Sequence, residues 1–184
     1  MIKDRSREKL LNAILYFVEN TRQCGKTKLY KLLYFLDFQH YSQVGRSVTG
    51  LEYFAWPMGP VPKVLHDEFK SPAADAAEMI ELGTVVFGSG KRMLKITPKR
   101  PFDPTHFSKR ELRLLESLAE QYKDALAEKM IEATHLENLP WHQIYEVQRK
   151  KQGQIPYEYA LRKGEFEEIT KLIAEHKSFL GNYK

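Results

Sequence analysis

Two spacings in this chain could do acid–base or metal chemistry. Glu132-Ala133-Thr134-His135 is an E-x-x-H, and Asp37-Phe38-Gln39-His40 is a D-x-x-H. Residues three apart on a helix share a face, so each would bring a carboxylate beside an imidazole, as in di-iron bundles. Those bundles need two E-x-x-H pairs and two further inward glutamates, and the sequence holds one true pair. His135 therefore reads as a packing histidine, and Asp37 and His40 as members of a structural polar network. Cys24 is the lone cysteine, which excludes an internal disulfide and, by itself, a zinc site. Gly88-Ser89-Gly90 lacks the helix and the Lys-Ser/Thr pair of a phosphate loop and reads as a turn. Serine nucleophile elbows and His-Glu-x-x-His motifs are absent from the sequence. No catalytic residue, metal ligand or cofactor is assigned, and the expectation is a protein that is not an enzyme.

The elements that must position any such group begin with an amphipathic helix near residues 6 to 20, where Leu10, Leu11, Ile14, Phe17 and Val18 recur at helical spacing. A second helix, Lys28 to Tyr41, is apolar nearly all round. At 100° per residue Leu29, Leu32, Leu33 and Leu36 form one stripe, Tyr30, Tyr34 and Tyr41 another, and Phe35 and Phe38 a third side. Eight of the 27 residues from Tyr30 to Trp56 are aromatic, against 12% for the whole chain, which places the core here. Asp37 lies beside the Tyr stripe and His40 on the Leu stripe, so both must find buried hydrogen-bond partners.

Leu51 to Trp56 has strand character and Pro57 stops it. The Gly59-Pro60-Val61-Pro62 corner leads into a short helix, Val61 to Lys70, with Val61, Val64, Leu65 and Phe69 as its apolar face. Ser71 to Glu78 reads as a mobile connection or a frayed helical turn. Thr84 to Phe87 and Arg92 to Ile96 flank a glycine-rich turn, a hairpin signal. Ser108-Lys109-Arg110-Glu111 matches a capping box and opens a helix with Leu112, Leu115, Leu118 and Tyr122 inward. A helix around Ala125 to Thr134 carries Leu126, Met130 and Ala133, Pro140-Trp141 opens another, and Phe166, Ile169, Leu172, Ile173 and Phe179 mark a terminal helix at about 164–180. The expected fold is mainly α with a small antiparallel β element, α+β, in a single multi-helix domain over residues 1–184.

Size supports one domain with an adequate core. No apolar run approaches the roughly 20 residues of a membrane span, and the charged start, Met1 to Glu8, lacks a secretory pattern; a cytoplasmic location with no membrane partner is expected. Twenty-nine Lys+Arg against 24 Asp+Glu give a net charge of +5, modest for a dedicated nucleic-acid binder. The positive residues cluster at Lys26/Lys28/Lys31, at Lys91, Arg92, Lys95, Lys99 and Arg100, at Lys109, Arg110 and Arg113, and at Arg149/Lys150/Lys151. These read first as solvated faces, and the clusters containing Lys91, Arg92, Lys95, Lys109, Arg110 and Arg113 are the candidate partner-binding surface. Three helices followed by a basic hairpin is also the order of a winged-helix DNA binder, although Lys63, His66 and Lys70 beside Asp67 and Glu68 equip the third helix poorly as a reader.

Read in order, Lys28-Leu29-Tyr30-Lys31-Leu32-Leu33-Tyr34-Phe35-Leu36-Asp37, His40-Tyr41, Gly45-Arg46, Thr49-Gly50, Ala55-Trp56 and Gly59-Pro60-Val61-Pro62 resemble the Panacea antitoxin domain, the SocA-like family long described as phage-associated proteins of the GepA type. Thr134-His135 with Pro140-Trp141 resembles its second signature, so the likeness runs over about residues 6 to 160. The resemblance implies a bacterial or prophage protein that neutralises a toxin encoded beside it by direct protein–protein binding. One family member instead delivers its toxin to the ClpXP protease as an adaptor. The chain reads as the bare domain, without an appended DNA-binding region. The motif positions Lys28, Leu32, Tyr34, Asp37, His40, Tyr41, Gly50, Trp56, Gly59, Pro60, Val61, His135 and Trp141 coincide with the expected core and its corner, which makes them markers of the fold. The leading expectation is a non-enzymatic antitoxin, and the alternative a winged-helix-like transcriptional regulator.

Overall fold

The computed structural model describes residues 5–136, 139–161, 169, 171–175 and 178. Helix α1, Ser6–Asn20, is followed by α2, Lys26–Val44. Gly45, in the left-handed region at φ +68°, ends α2 and donates its N–H to the Tyr41 carbonyl. Helix α2 runs through the middle of the molecule and packs against α1, against the sheet and against later helices. Its three apolar sides meet different neighbours. Phe35 stacks on Tyr122 at 5.4 Å, Phe38 lies 4.6 Å from Tyr157, and Tyr34 meets Tyr53 edge-on at 5.5 Å.

Strand β1, Tyr53–Trp56, and strand β2, Gly59–Pro62, form an antiparallel hairpin around a Pro57-Met58 turn, with Trp56 opposite Gly59. The Gly59–Pro62 corner is thus a buried strand and not the start of a helix; α3 begins only at Lys63 and spans Lys63–Glu68. Of the face expected for it, Leu65 is buried while Val64 is 66% exposed, because Val61 pairs with Phe54 in the sheet. Ser71 to Glu78 contributes an ordered helix α4, Ala74–Met79. Arg7 ties these short helices to α1, contacting Glu68 at 2.5 Å and Asp75 at 2.7 Å.

The second hairpin is longer than the turn signal implied: β3, Ile80–Val86, pairs with β4, Arg92–Pro98. Helix α5, Lys109–Gln121, opens on the expected capping box, with Ser108 N–H donating to Glu111 Oε2 at 2.6 Å and Glu111 N–H to Ser108 Oγ at 3.3 Å. Leu115 and Leu118 are buried on its inner side. In α6, Ala127–Thr134, Met130 is fully buried, whereas Leu126 precedes the helix and is half exposed. Helix α7, Pro140–His142, widens into π-helical turns over Gln143–Val147, and β5, Gln154–Ile155, joins the first sheet in the order β2-β1-β5. Of the expected terminal helix, Phe166 and Phe179 lie outside the described residues. No helix among the described residues is long and apolar enough to cross a membrane.

Candidate functional site

The motif segments converge where α2, the β1–β2 hairpin, α6 and α7 meet. Three apolar stripes leave the middle of α2 without a solvent face, so Lys28 and Lys31 turn inward. Lys28 is completely buried and donates to the carbonyls of Arg22 at 2.9 Å and Lys123 at 3.1 Å. Lys31, 1% exposed, donates to the Pro60 carbonyl at 2.9 Å, and among the described residues no carboxylate pairs with it. Burial pushes its ammonium down to about 7, since the charged form loses solvation without a counter-charge. The Lys26/Lys28/Lys31 cluster is therefore not a solvated face; only Lys26 is exposed.

The hairpin comes close to these groups because residue 59 has no side chain. A Cβ there would lie 2.8 Å from Lys31 Nζ and 2.7 Å from Thr134 Oγ1, and the backbone sits at φ +95°. Trp141 Nε1 donates to the Trp56 carbonyl at 2.9 Å, and His135 stacks on the Trp141 ring at 3.7 Å and 4°. His135 is held below its usual range, first by burial and then by the nearby Lys31 charge, with Glu146 opposing. Residues from three distant stretches, 31, 56–60 and 134–141, thus share one corner. On its outer side the half-buried Trp56 and exposed Met58 border an apolar hollow of about 170 Å3 that Tyr30, Lys31, Val61 and His66 also line.

The other end of α2 carries the polar network expected of Asp37 and His40. Asp37, fully buried, accepts from the N–H groups of Val48 and Thr49, from Thr49 Oγ1 and from Tyr53 Oη. Burial pushes its carboxyl up, while these donors pull the other way. His40 Nδ1 lies 2.8 Å from the Arg46 carbonyl. Together they fix the loop from Arg46 to the exposed Gly50. Leu32 and Tyr34 are buried in the core, and Tyr41 reaches Glu158 at 3.3 Å.

The two spacings with chemical potential come apart. Glu132 is exposed and paired with Lys129 at 2.8 Å, away from the stacked ring of His135. Asp37 accepts from the loop and from Tyr53 on β1, and His40 faces a carbonyl. Among the described residues no group of three or more His, Cys, Asp or Glu stands close enough to hold a metal ion. Cys24 is buried, and its thiol is pushed up to about 11, which suits packing better than nucleophilic attack.

The predicted basic surface is divided. Lys91 and Arg92 line a groove of about 470 Å3 at the starts of α2 and α6, where Lys91 pairs with Glu128 at 2.9 Å. Lys95 is exposed on β4, and Lys109, Arg110 and Arg113 are exposed on α5, outside that groove. The winged-helix alternative is not favoured. Its reader would be α3, six residues long, in which Glu68 is held by Arg7 and Asp67 pairs with Lys70.

Lys31 and Thr134 stand in the motif segments without a sequence sign that they meet, yet a lysine inside an apolar helix is itself a signal of burial. Comparison with curated proteins and with solved structures gave no match. The family model of the antitoxin SocA-like Panacea domain matches residues 29–142, more than half of the chain, and its span runs from the core helix through the Gly59 corner to Trp141 and His142. The chain belongs to the SocA-like Panacea-domain antitoxin family.

Proposed function

We propose that this protein is the antitoxin of a bacterial or prophage toxin–antitoxin pair, acting in the cytoplasm by binding its cognate toxin directly and without catalysis. The observation that carries the reading is the direction of its polar chemistry. Asp37, His40, Lys28 and Lys31 all bond inward to loops and strand carbonyls, while an indole and a thioether border the open hollow at the corner. Inward polar groups hold a shape; exposed aromatic and methionine side chains are what interfaces use for affinity. Family membership supplies the class of partner, a toxin, and leaves its identity to experiment.

Expression of the adjacent open reading frame alone should arrest growth. Co-expression with this chain should restore growth and yield a complex that co-purifies. A harmless neighbour that forms no complex removes the proposal. Repeating the rescue in cells lacking ClpXP separates the two modes: rescue by binding persists, whereas rescue by delivery to the protease disappears.

A further inference from the structure

We infer that the hollow at the Trp56–Met58 corner is the anchor point for the partner, seating one bulky apolar side chain carried on an acidic segment of the partner polypeptide. The inference rests on the antitoxin reading for the partner's existence, and on the hollow for its chemistry. At about 170 Å3 the space is smaller than the roughly 300–1,000 Å3 of small-molecule sites. A space of that size suits one side chain better than a whole ligand.

The walls are apolar: Trp56, Val61 and the Tyr30 ring, with Met58 61% exposed at the lip. Trp and Met are enriched at interface centres, and a methionine adapts its shape to an incoming group. Trp56 is also braced from behind. The Trp141 indole bonds its carbonyl and His66 packs 5.1 Å from its ring, so little ordering remains to be done on binding.

The charge around the hollow selects the segment. Lys26 on its wall, and Lys63 one turn before the lining His66 in α3, are exposed and form no ion pair among the described residues. Lys70 is matched by Asp67 at 2.7 Å, and His66 is held below its usual range by burial and by Lys26 and Lys70, against Asp67. The local balance is positive around an apolar centre, complementary to carboxylates flanking an apolar residue.

The test uses the full chain and three variants, Met58→Glu, Met58→Leu and Lys26→Glu, titrated with the purified toxin from the adjacent gene. Because Met58 is exposed, its replacement leaves the core intact, and circular dichroism checks this. Met58→Glu should weaken binding by about 30-fold or more, the level of an interface hot spot, while Met58→Leu stays close to wild type. Lys26→Glu should slow association and flatten its salt dependence. If wild type and Met58→Glu bind the toxin equally, the inference is overturned while the antitoxin reading stands.

If wild type does not bind that toxin at all, the antitoxin reading fails and an acidic pentapeptide with a central leucine decides the inference. It should shift the Met58 methyl resonance at millimolar concentration, and the same peptide with alanine at the centre should not. No shift, or equal shifts, overturns it. Sedimentation of the protein alone covers the remaining occupant. A wild-type dimer that Met58→Glu dissolves means that a second copy fills the hollow, which also overturns the proposal.

Discussion

The indole of Trp141 crosses 85 positions of sequence to donate its N–H to the main-chain carbonyl of Trp56 at 2.9 Å. One tryptophan thereby holds the other at the end of β1, and the last motif segment braces the middle one. Trp141 is 2% exposed, packed between the imidazole of His135 and the ring of Tyr145 at 4.7 Å. Trp141→Phe keeps much of the stacking and loses the donor, leaving a carbonyl without that partner; the expected cost is about 1–3 kcal/mol. Trp141→Ala also opens a cavity and should cost about 3–5 kcal/mol. Urea unfolding of both variants checks the order.

The hairpin depends on residue 59 being glycine for two separate reasons. Its φ of +95° strains an L side chain, and an added Cβ would strike Thr134 Oγ1 and Lys31 Nζ. Gly59→Ala should destabilise by roughly 2 kcal/mol or more, since the strain alone is of order 1–3 kcal/mol. For a chain of this size that lowers Tm by about 4–8 °C. Calorimetry reads it directly, and an unchanged Tm would mean that the corner does not require this approach.

The Asp37 network predicts a graded response. Tyr53→Phe removes one of four donors and should cost about 1 kcal/mol. Asp37→Asn turns amide hydrogens toward groups that are themselves donors and should cost about 3 kcal/mol, in the range for breaking buried charged interactions. Denaturant titration of both proteins distinguishes the case. Equal costs would show that the carboxylate gathers no more than the Tyr53 hydroxyl.

Elements with local chemistry were legible in the sequence. Ser108 and Glu111 signal a helix start by themselves because both capping partners lie within one turn, and that helix stands where they place it. The apolar stripes of α2 marked the core for the same reason. What could not be read depends on partners far away in the chain. Gly59 to Val61 pairs as a strand because Phe54 lies opposite and α2 lies beneath, whereas Pro60 and Pro62 on their own favour a helix start. Lys28 and Lys31 count as surface charge in any composition; their burial follows from carbonyls supplied at residues 22, 123 and 60. The corner hollow is likewise made by folding: Tyr30 and Lys31 come from α2, Trp56 to Val61 from the hairpin and His66 from α3. No single stretch contains it.

Lys31 makes the stability of the whole protein depend on pH in an unusual direction. Its ammonium is held down to about 7 in the fold from 10.5, so between these values the unfolded chain binds a proton that the folded chain does not. Stability then rises with pH across that window, by up to about 1.4 kcal/mol per pH unit for one proton. The buried Lys28, also lowered by burial, adds in the same sense. Cys24, whose thiol burial pushes up to about 11, opposes it as the unfolded thiol ionises above about pH 8.5, and Tyr30 and Tyr34, pushed up by burial, do so as the unfolded tyrosines ionise near pH 10. Urea midpoints measured from pH 7 to about 8.5, below the ionisation of the unfolded thiol, should therefore climb. Lys31→Met, which keeps the stem and removes the charge, should flatten most of that rise and equal or exceed wild type in stability at pH 7. A wild-type profile that is flat over the window, or a Lys31→Met profile that climbs as steeply, would show that the ammonium keeps its charge in the fold and that a counter-charge reaches it.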